Sequence, residues 1–315
     1  MNPQSRSPLA LPLAVALAAV ALAAPWVVYP VFLMKTLCYA LFACSFNLLL
    51  GYAGLMSFGH AMFFGMAAYF YGHVVKEWHW PAELGLLAGV LGAAALGLVT
   101  GALAIRRQGI YFAMITLAFA QMVYFICVQV PFTHGEDGLQ GIPRKPLLFI
   151  PTENDTVLYY WVLAIFLFGY FAIYRFIHSP FGQVLKAIRD NEQRAVSLGY
   201  EADRYKLLAF VLSAALAGLA GSTEAMVLHF ATLTDVSADT SGEVVLMALI
   251  GGLGTISGPV VGAFVVVAMR DYLAFIGQLV LVLQGAIFVL IVLAFRKGVV
   301  GEIADLWRKM KAKRA

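Results

Sequence analysis

One short phrase occurs twice in this chain, and glycine and serine give it its chemistry. Residues 49–57 read LLGYAGLMS and residues 249–257 read LIGGLGTIS. Both carry Gly-x-x-Gly-x-x-Ser, at Gly51, Gly54 and Ser57 and again at Gly251, Gly254 and Ser257. Each copy interrupts a long apolar run. Glycines there weaken a helix and let other backbone come close. Backbone groups freed at such breaks can hold a carboxylate or an ammonium. Paired Gly-interrupted segments in the two halves of a membrane chain point to a transport pathway. Close packing of helices on small residues is the other reading. Residues 51–60 and 251–259 are therefore expected to line or hinge a path, with Phe58 and His60 following the first phrase.

Other polar residues in apolar runs have two readings each. For His60 these are a hydrogen-bonded place in the packing and proton coupling. Thr116 and Gln121 read as pathway groups or as glue between helices. Glu224 is the one acid inside a predicted span. It lies 18 residues past Lys206, about 27 Å along a helix. That places it near a membrane boundary, where an acid costs less than at mid-bilayer. Ordinary interfacial placement and a pathway role, toward a substrate ammonium, both fit. For Gly65, Gly89, Gly92, Gly97 and Gly101 the packing reading is adopted.

Enzyme chemistry finds no support. The chain has no His-Glu-x-x-His, no Gly-x-Ser-x-Gly and no facing carboxylate pair. It has no Gly-x-x-x-x-Gly-Lys-[Ser/Thr], so it does not hold ATP by that route. Cys38, Cys44 and Cys127 lie in apolar runs without Cys-x-x-Cys spacing or a histidine cluster, and read as small buried hydrophobes. No metal, cofactor or nucleic-acid partner is expected.

The elements that must position these residues are membrane helices. Of 315 residues, 62% are hydrophobic and 12% charged, where a soluble domain has about 25% charged. Uncharged runs cover 7–34, 36–75, 84–105, 108–135, 156–174, 207–223, 244–269 and 272–295. A spanning helix needs roughly 20 apolar residues. The expected fold is all-α, a polytopic integral membrane protein with ten transmembrane helices, eight being the fallback, and two Gly-broken segments. Spans are expected near 9–29, 32–50, 60–76, 84–105, 110–130, 158–177 and 207–228. The stretch 244–295 is read as three short crossings, broken at Gly254 to Pro259 and at Arg270-Asp271. At the N-terminus, Arg6, the apolar stretch from Leu9 and Ala21-Leu22-Ala23 also resemble a secretory signal; an uncleaved first span is preferred.

Lys and Arg mark the cytoplasmic side. They gather at Arg106 and Arg107, in 175–206, and in the tail 296–315. Acid-leaning loops at 131–157 and 231–243 go outside, so both termini are expected in the cytoplasm. The outer loop 131–157 is rich in Gly and Pro, which argues turns. The tail places Ile303, Leu306, Trp307 and Met310 at helical spacing, as for a helix lying on anionic lipid. Aromatic residues near run ends, including Trp26, Trp78, Tyr159 and Tyr160, read as interfacial anchors. No soluble domain is appended, and 1–315 reads as a single transmembrane domain.

Residues 179–199 read SPFGQVLKAIRDNEQRAVSLG. Ser179 suits a helix cap and Pro180 the first helical position. Val184, Leu185 and Ile188 share a face, with Lys186 and Arg189 pointing elsewhere. Asp190 or Asn191 can end one helix and cap the next, and Gly199 is a good terminator. Two short amphipathic helices either ride on the membrane surface or dock a soluble partner. The acids Asp190, Glu192, Glu201 and Asp203 dilute the basic character that lipid attraction wants.

Five phrases now add up. GYAGLMSFGHAMFFGMAAY at 51–69, GIYFAMITLAFAQM at 109–122, GEDGLQGIP at 135–143, SPFGQVLKAIRDNEQRAVSLGY at 179–200 and GGLGTISGPVVGA at 251–263 occur in this order. The chain resembles the LivM-type permeases of branched-chain amino acid ABC importers over nearly all of 36–300. The resemblance implies a permease subunit in a bacterial inner membrane, working by alternating access driven by ATP hydrolysis on partners. Those partners would be a second permease subunit, two cytoplasmic ATPase subunits and a periplasmic solute-binding protein. Segment 179–199 would carry the coupling helix, with Phe181, Gly182, Arg189, Asp190, Asn191 and Glu192 matching the family phrase. Related permeases carry urea, amides and aromatic acids, so the solute stays open. A secondary transporter or channel is disfavoured because the span centres are nearly free of ionisable residues. Two departures lie toward the outside: His134 stands where the family has glycine, and 221–231, GSTEAMVLHFA, is unusually polar.

Overall fold

The computed structural model describes residues 23–273 except 149 and 151, together with 275, 279–294, 298 and 300–302. Its α-helices are α1 (Pro30–Asn47), α2 (Ala61–Lys76), α3 (Ala82–Ala104), α4 (Ile110–Gln129), α5 (Asp155–Ile177), α6 (Pro180–Asp190), α7 (Glu192–Ser197), α8 (Ala202–Leu228), α9 (Ala238–Gly251), α10 (Gly258–Tyr272) and α11 (Leu279–Ala294). Two residue pairs form the β-structure: β1 (Leu139–Gln140) runs antiparallel to β2 (Phe230–Ala231).

Among the described residues, five stretches are long and apolar enough to cross a membrane: α1 with its extension to Ala53, then α3, α4, α5 and α8. Burial separates them. In the first stretch 78% of the apolar window is buried and in α8 67%, against 28–39% in α3, α4 and α5. The first and α8 are therefore the axis, and the other three wrap it. Helix α1 packs on α8, α5, α9 and α10, while α2, α3 and α8 form a second triple.

Side-chain size decides which face of α3 turns inward. Its buried residues are Ala82, Gly85, Gly89, Ala93, Gly97, Thr100, Gly101 and Ala104, and from Gly85 to Gly101 they recur every fourth position. Leu84, Leu87, Leu91, Leu98, Val99 and Leu103 are exposed on the other side. Among apolar surroundings, close backbone approach and dispersion replace the hydrophobic drive. Gly89 faces Ser222 and Ala67, Gly92 the Phe70 ring, Gly97 the Ala214 methyl and Gly101 the Phe210 ring. Gly65 of α2 faces Val236. These five glycines are packing residues.

Helix starts and ends fall close to the expected ones, with a few differences. Helix α1 continues past Asn47 into a π-turn, Leu48–Ala53. The break expected at Gly254 to Pro259 falls between α9 and α10, with Pro259 in the first turn of α10. Arg270 and Asp271 belong to the last turn of α10, and the chain breaks after Tyr272. Tyr159 is buried at 2% exposure instead of sitting at an interface, because its turn of α5 packs inward. The 131–157 loop is mostly turns, yet its β1 strand pairs with the segment after α8, and Lys76 Nζ donates to Gln140 O at 2.8 Å. His134, with φ of 61°, occupies left-handed backbone, which glycine adopts at less cost. The expected span 9–29 falls mostly before residue 23, and most of the tail 296–315, with Ile303, Leu306, Trp307 and Met310, also lies outside the described residues.

Candidate functional site

The two Gly-x-x-Gly-x-x-Ser phrases meet. Helix α1 widens into its π-turn and ends at Gly54, which is left-handed with φ of 73°. Helix α9 ends at Gly251, and the chain turns through Gly252 and Gly254 before α10 begins. Asn47 holds the two turns together. Its Nδ2 donates to Thr255 O at 2.8 Å, and its Oδ1 accepts from Gly254 N at 3.0 Å. Thr255 stiffens its own turn, donating to Gly252 O and accepting from Gly258 N. A Cβ on Gly51 would lie 2.7 Å from Gly254 N and 2.5 Å from Asn47 Oδ1. Only glycine at 51 permits this approach.

The candidates of segment 179–199 reach the same place. Arg189 Nη1 donates to Gly51 O at 2.5 Å, and its Nη2 to Asp190 Oδ1 at 2.9 Å. The Arg189 aliphatic stem also lies over Gly54, 2.8 Å from where a Cβ would stand. Lys186 Nζ sits 5.5 Å above the Tyr52 ring. Both basic residues of α6 thus point into the protein, at the π-turn. A π-turn leaves carbonyls without ordinary helical partners, and Arg189 supplies a charged donor to one of them.

Helices α6 and α7 are built as their residues dictate. Ser179 Oγ accepts from Gly182 N, and Asn191 Oδ1 accepts from Arg194 N, capping both helix starts. A Cβ at Gly182 would strike the Phe176 and Ile177 carbonyls at the end of α5. Phe181 packs on Phe176 and Tyr205, with ring centroids 4.7 and 4.9 Å apart. Glu192 faces inward: its Oε1 pairs with Lys206 Nζ at 2.5 Å, and its Oε2 accepts from Gln108 Nε2 at 2.9 Å. Lys206, at 3% exposure, is buried on α8.

The remaining candidates spread outward from this contact. Ser57 is buried and accepts from Gly59 N at 3.4 Å, while Ser257 is exposed at the start of α10. Thr116 Oγ1 accepts from Phe58 N at 3.2 Å, so α4 pins the loop that follows the first phrase. Gln121 is half-buried further along α4. His60 is fully buried between Ser213 Oγ at 3.1 Å and Ser45 Oγ at 3.4 Å, with Phe42, Phe46 and Phe63 around its ring. Those neighbours favour its packing role. Glu224 lies far from the glycine contact, near the opposite end of α8, and is buried at 4% exposure rather than lying at a solvated boundary.

Sequence reasoning missed Asn47, Thr255 and Lys206. Asn47 carried a signal, since an amide inside an uncharged run must find partners. Thr255 and Lys206 carried none of comparable strength.

Helices that turn small residues inward and leucines outward, around two apposed Gly-rich breaks, define the class: a multi-pass helical membrane protein with a broken-helix core. Within that class, the chain belongs to the family described as branched-chain amino acid transport system / permease component, which it matches over residues 28–292. It is 27% identical, over 286 residues, to the high-affinity branched-chain amino acid transport system permease protein LivM of Salmonella typhimurium, and likewise to LivM of Escherichia coli. Each alignment covers 82% of this chain and 66% of the relative, so the chain spans just under two thirds of their length. It is also 27% identical over 128 residues to a probable permease protein LivH of Methanocaldococcus jannaschii, covering 39% of this chain and 35% of that one. No solved structure matches the chain.

Proposed function

We propose that this protein is a permease subunit of an ABC importer and passes branched-chain amino acids through a bacterial inner membrane. The observation that carries the reading is the joined contact of Arg189, Gly51 and Gly254. A cytoplasmic helix pair with no catalytic residues of its own holds the backbone at which two broken helices meet. Motion imposed on α6 and α7 from below reaches that break without an intermediary. Alternating access follows if nucleotide-driven closure of two ATPase subunits displaces α6, withdraws Arg189 from Gly51 O and lets the two glycine turns part. Glycine carbonyls and N–H groups at the parted turns then offer donors and acceptors to a zwitterion.

In this reading Asp190, Asn191 and the exposed Val196 and Leu198 are the surface offered to the ATPase, while Arg189, Glu192 and Phe181 tie the segment to the spans. The partners are a second permease subunit of similar fold, for which the likeness to LivH speaks, two ATPase subunits and a periplasmic solute-binding protein. The chain forms one transmembrane domain. Helices α9, α10 and α11 serve as three short crossings in a ten-span arrangement with both termini in the cytoplasm.

Uptake assays in bacterial cells stripped of their own amino-acid importers test the substrate. With the full set of subunits expressed, leucine uptake should be blocked by excess isoleucine or valine. Competition by urea, acetamide or benzoate, with none from isoleucine and valine, would replace the amino-acid reading with one of the alternatives seen among related permeases.

A further inference from the structure

A second polar cluster lies at the end of the bundle opposite α6 and α7, and the transport contact does not use it. The first turns of α1, the far end of α8, the start of α9 and the end of α10 converge there. Lys35 Nζ pairs with Asp271 Oδ1 at 2.5 Å. Arg270 Nη1 pairs with Glu243 Oε2 at 3.2 Å and reaches the Tyr39 hydroxyl at 3.4 Å. The Glu224 carboxyl on α8 lies within electrostatic reach of Arg270, Lys35 and Asp235. Asp235 is spoken for by the Thr232 N–H and hydroxyl, both at 3.0 Å.

The charges do not balance. Two cations, Lys35 and Arg270, face four carboxylates, Glu224, Asp235, Glu243 and Asp271. Each cation already has a carboxylate of its own in Asp271 or Glu243. Glu224, 4% exposed, has neither a cation within salt-bridge distance nor, on Oε2, any hydrogen-bond partner among the described residues. A buried polar oxygen left bare is expensive, and a carboxylate more so. The residues around it are unusually polar for a span: Ser222, Thr223 and Glu224 follow one another and are all buried. Their hydroxyls are turned to backbone, Ser222 to Ala67 O and Thr223 to Leu219 O, so neither is spent on Glu224.

We infer that Glu224 is an ammonium-binding group: its free Oε2 receives the α-ammonium of an entering amino acid. The site rests on the amino-acid reading of the preceding subsection and adds where the zwitterion is first held. It lies at the end where β1 and β2 pair, so solute arriving there meets Glu224 before the glycine contact. A primary or secondary ammonium is the chemistry it takes; a neutral amide brings N–H donors to Oε2 but no positive charge, and an ionised carboxylic acid brings neither.

The test uses the complete importer in proteoliposomes with leucine as solute. Glu224→Gln, which removes the charge and little volume, should lower leucine uptake at least tenfold, and Glu224→Asp should restore at least half of the wild-type rate. A Glu224→Gln rate within twofold of wild type overturns the assignment. A second measurement needs no variant. Dicyclohexylcarbodiimide adds to a buried carboxyl as an N-acylurea, and mass spectrometry locates the adduct. In the wild-type assembly, leucine-loaded binding protein should slow labelling of Glu224 at least threefold relative to the unloaded protein. Equal labelling with intact leucine uptake overturns this site alone. A wild-type assembly that imports no leucine overturns the amino-acid reading and the site together.

Discussion

Arg189 lies in the last turn of α6 and Glu192 starts α7, and both hold this helix pair to the spans, but by different physics. The Arg189 bond to Gly51 O is charge-assisted and partly solvated, a setting in which such bonds contribute about 1–2 kcal/mol. Arg189→Ala should therefore cut leucine uptake by no more than about tenfold while the ATPase subunits still copurify, and Arg189→Lys, which keeps a donor, should lose less. Loss of the ATPases with unchanged stability would show that Arg189 is a docking residue instead. Glu192 compensates the buried Lys206. Removing one member of a buried pair leaves an uncompensated charge and costs about 3 kcal/mol or more. Glu192→Gln should lower the thermal unfolding midpoint in detergent by several degrees, and adding Lys206→Met should bring it back. At this scale the sequence marked the right stretches but not the directions. Its pattern grouped Val184, Leu185 and Ile188 and left Arg189 pointing away, because amphipathic spacing describes a helix against water and says nothing of a carbonyl freed by a distant π-turn. His134 shows the reverse case: its departure from glycine lands on left-handed backbone.

Two elements fix the geometry that the residues use. The first is the turn at the end of α1, where Gly51 leaves no room for a side chain against Gly254 N. Gly51→Ala must push the α9–α10 turn away, so cysteines placed on the two turns should crosslink in the parent protein and lose that crosslink in the variant. An unchanged crosslinking yield would mean the turns are not in contact in the membrane. The second is the start of α6, where Gly182 packs on the last carbonyls of α5. Gly182→Ala should weaken ATPase association and uptake together, since it tilts the whole helix pair, whereas Asn191→Ala should cost about 1 kcal/mol through loss of the α7 cap with a milder effect. Helix limits were legible from charge and hydrophobic runs, and the caps at Ser179 and Asn191 from residue type. The break at Gly51 and Gly54 was legible too, but not its π-turn form, which no residue type in Leu48–Ala53 signals. Nor was the inward face of α3, since a helix hydrophobic all round shows its buried side only through residue size.

Across the molecule, the helix pair, the π-turn and the second glycine turn are one connected piece. The duplicated phrase suggested two breaks, and only the fold shows that they touch. On the proposed function, partner ATPase subunits drive their separation and a solute-binding protein delivers the solute. The central claim is therefore about dependence. Purified chain alone in proteoliposomes should take up no leucine against a gradient. The complete assembly, with second permease, ATPases and loaded binding protein, should concentrate leucine only when ATP is present inside the position of the ATPases. Uphill uptake by the isolated chain, or by the assembly without nucleotide, would contradict the account.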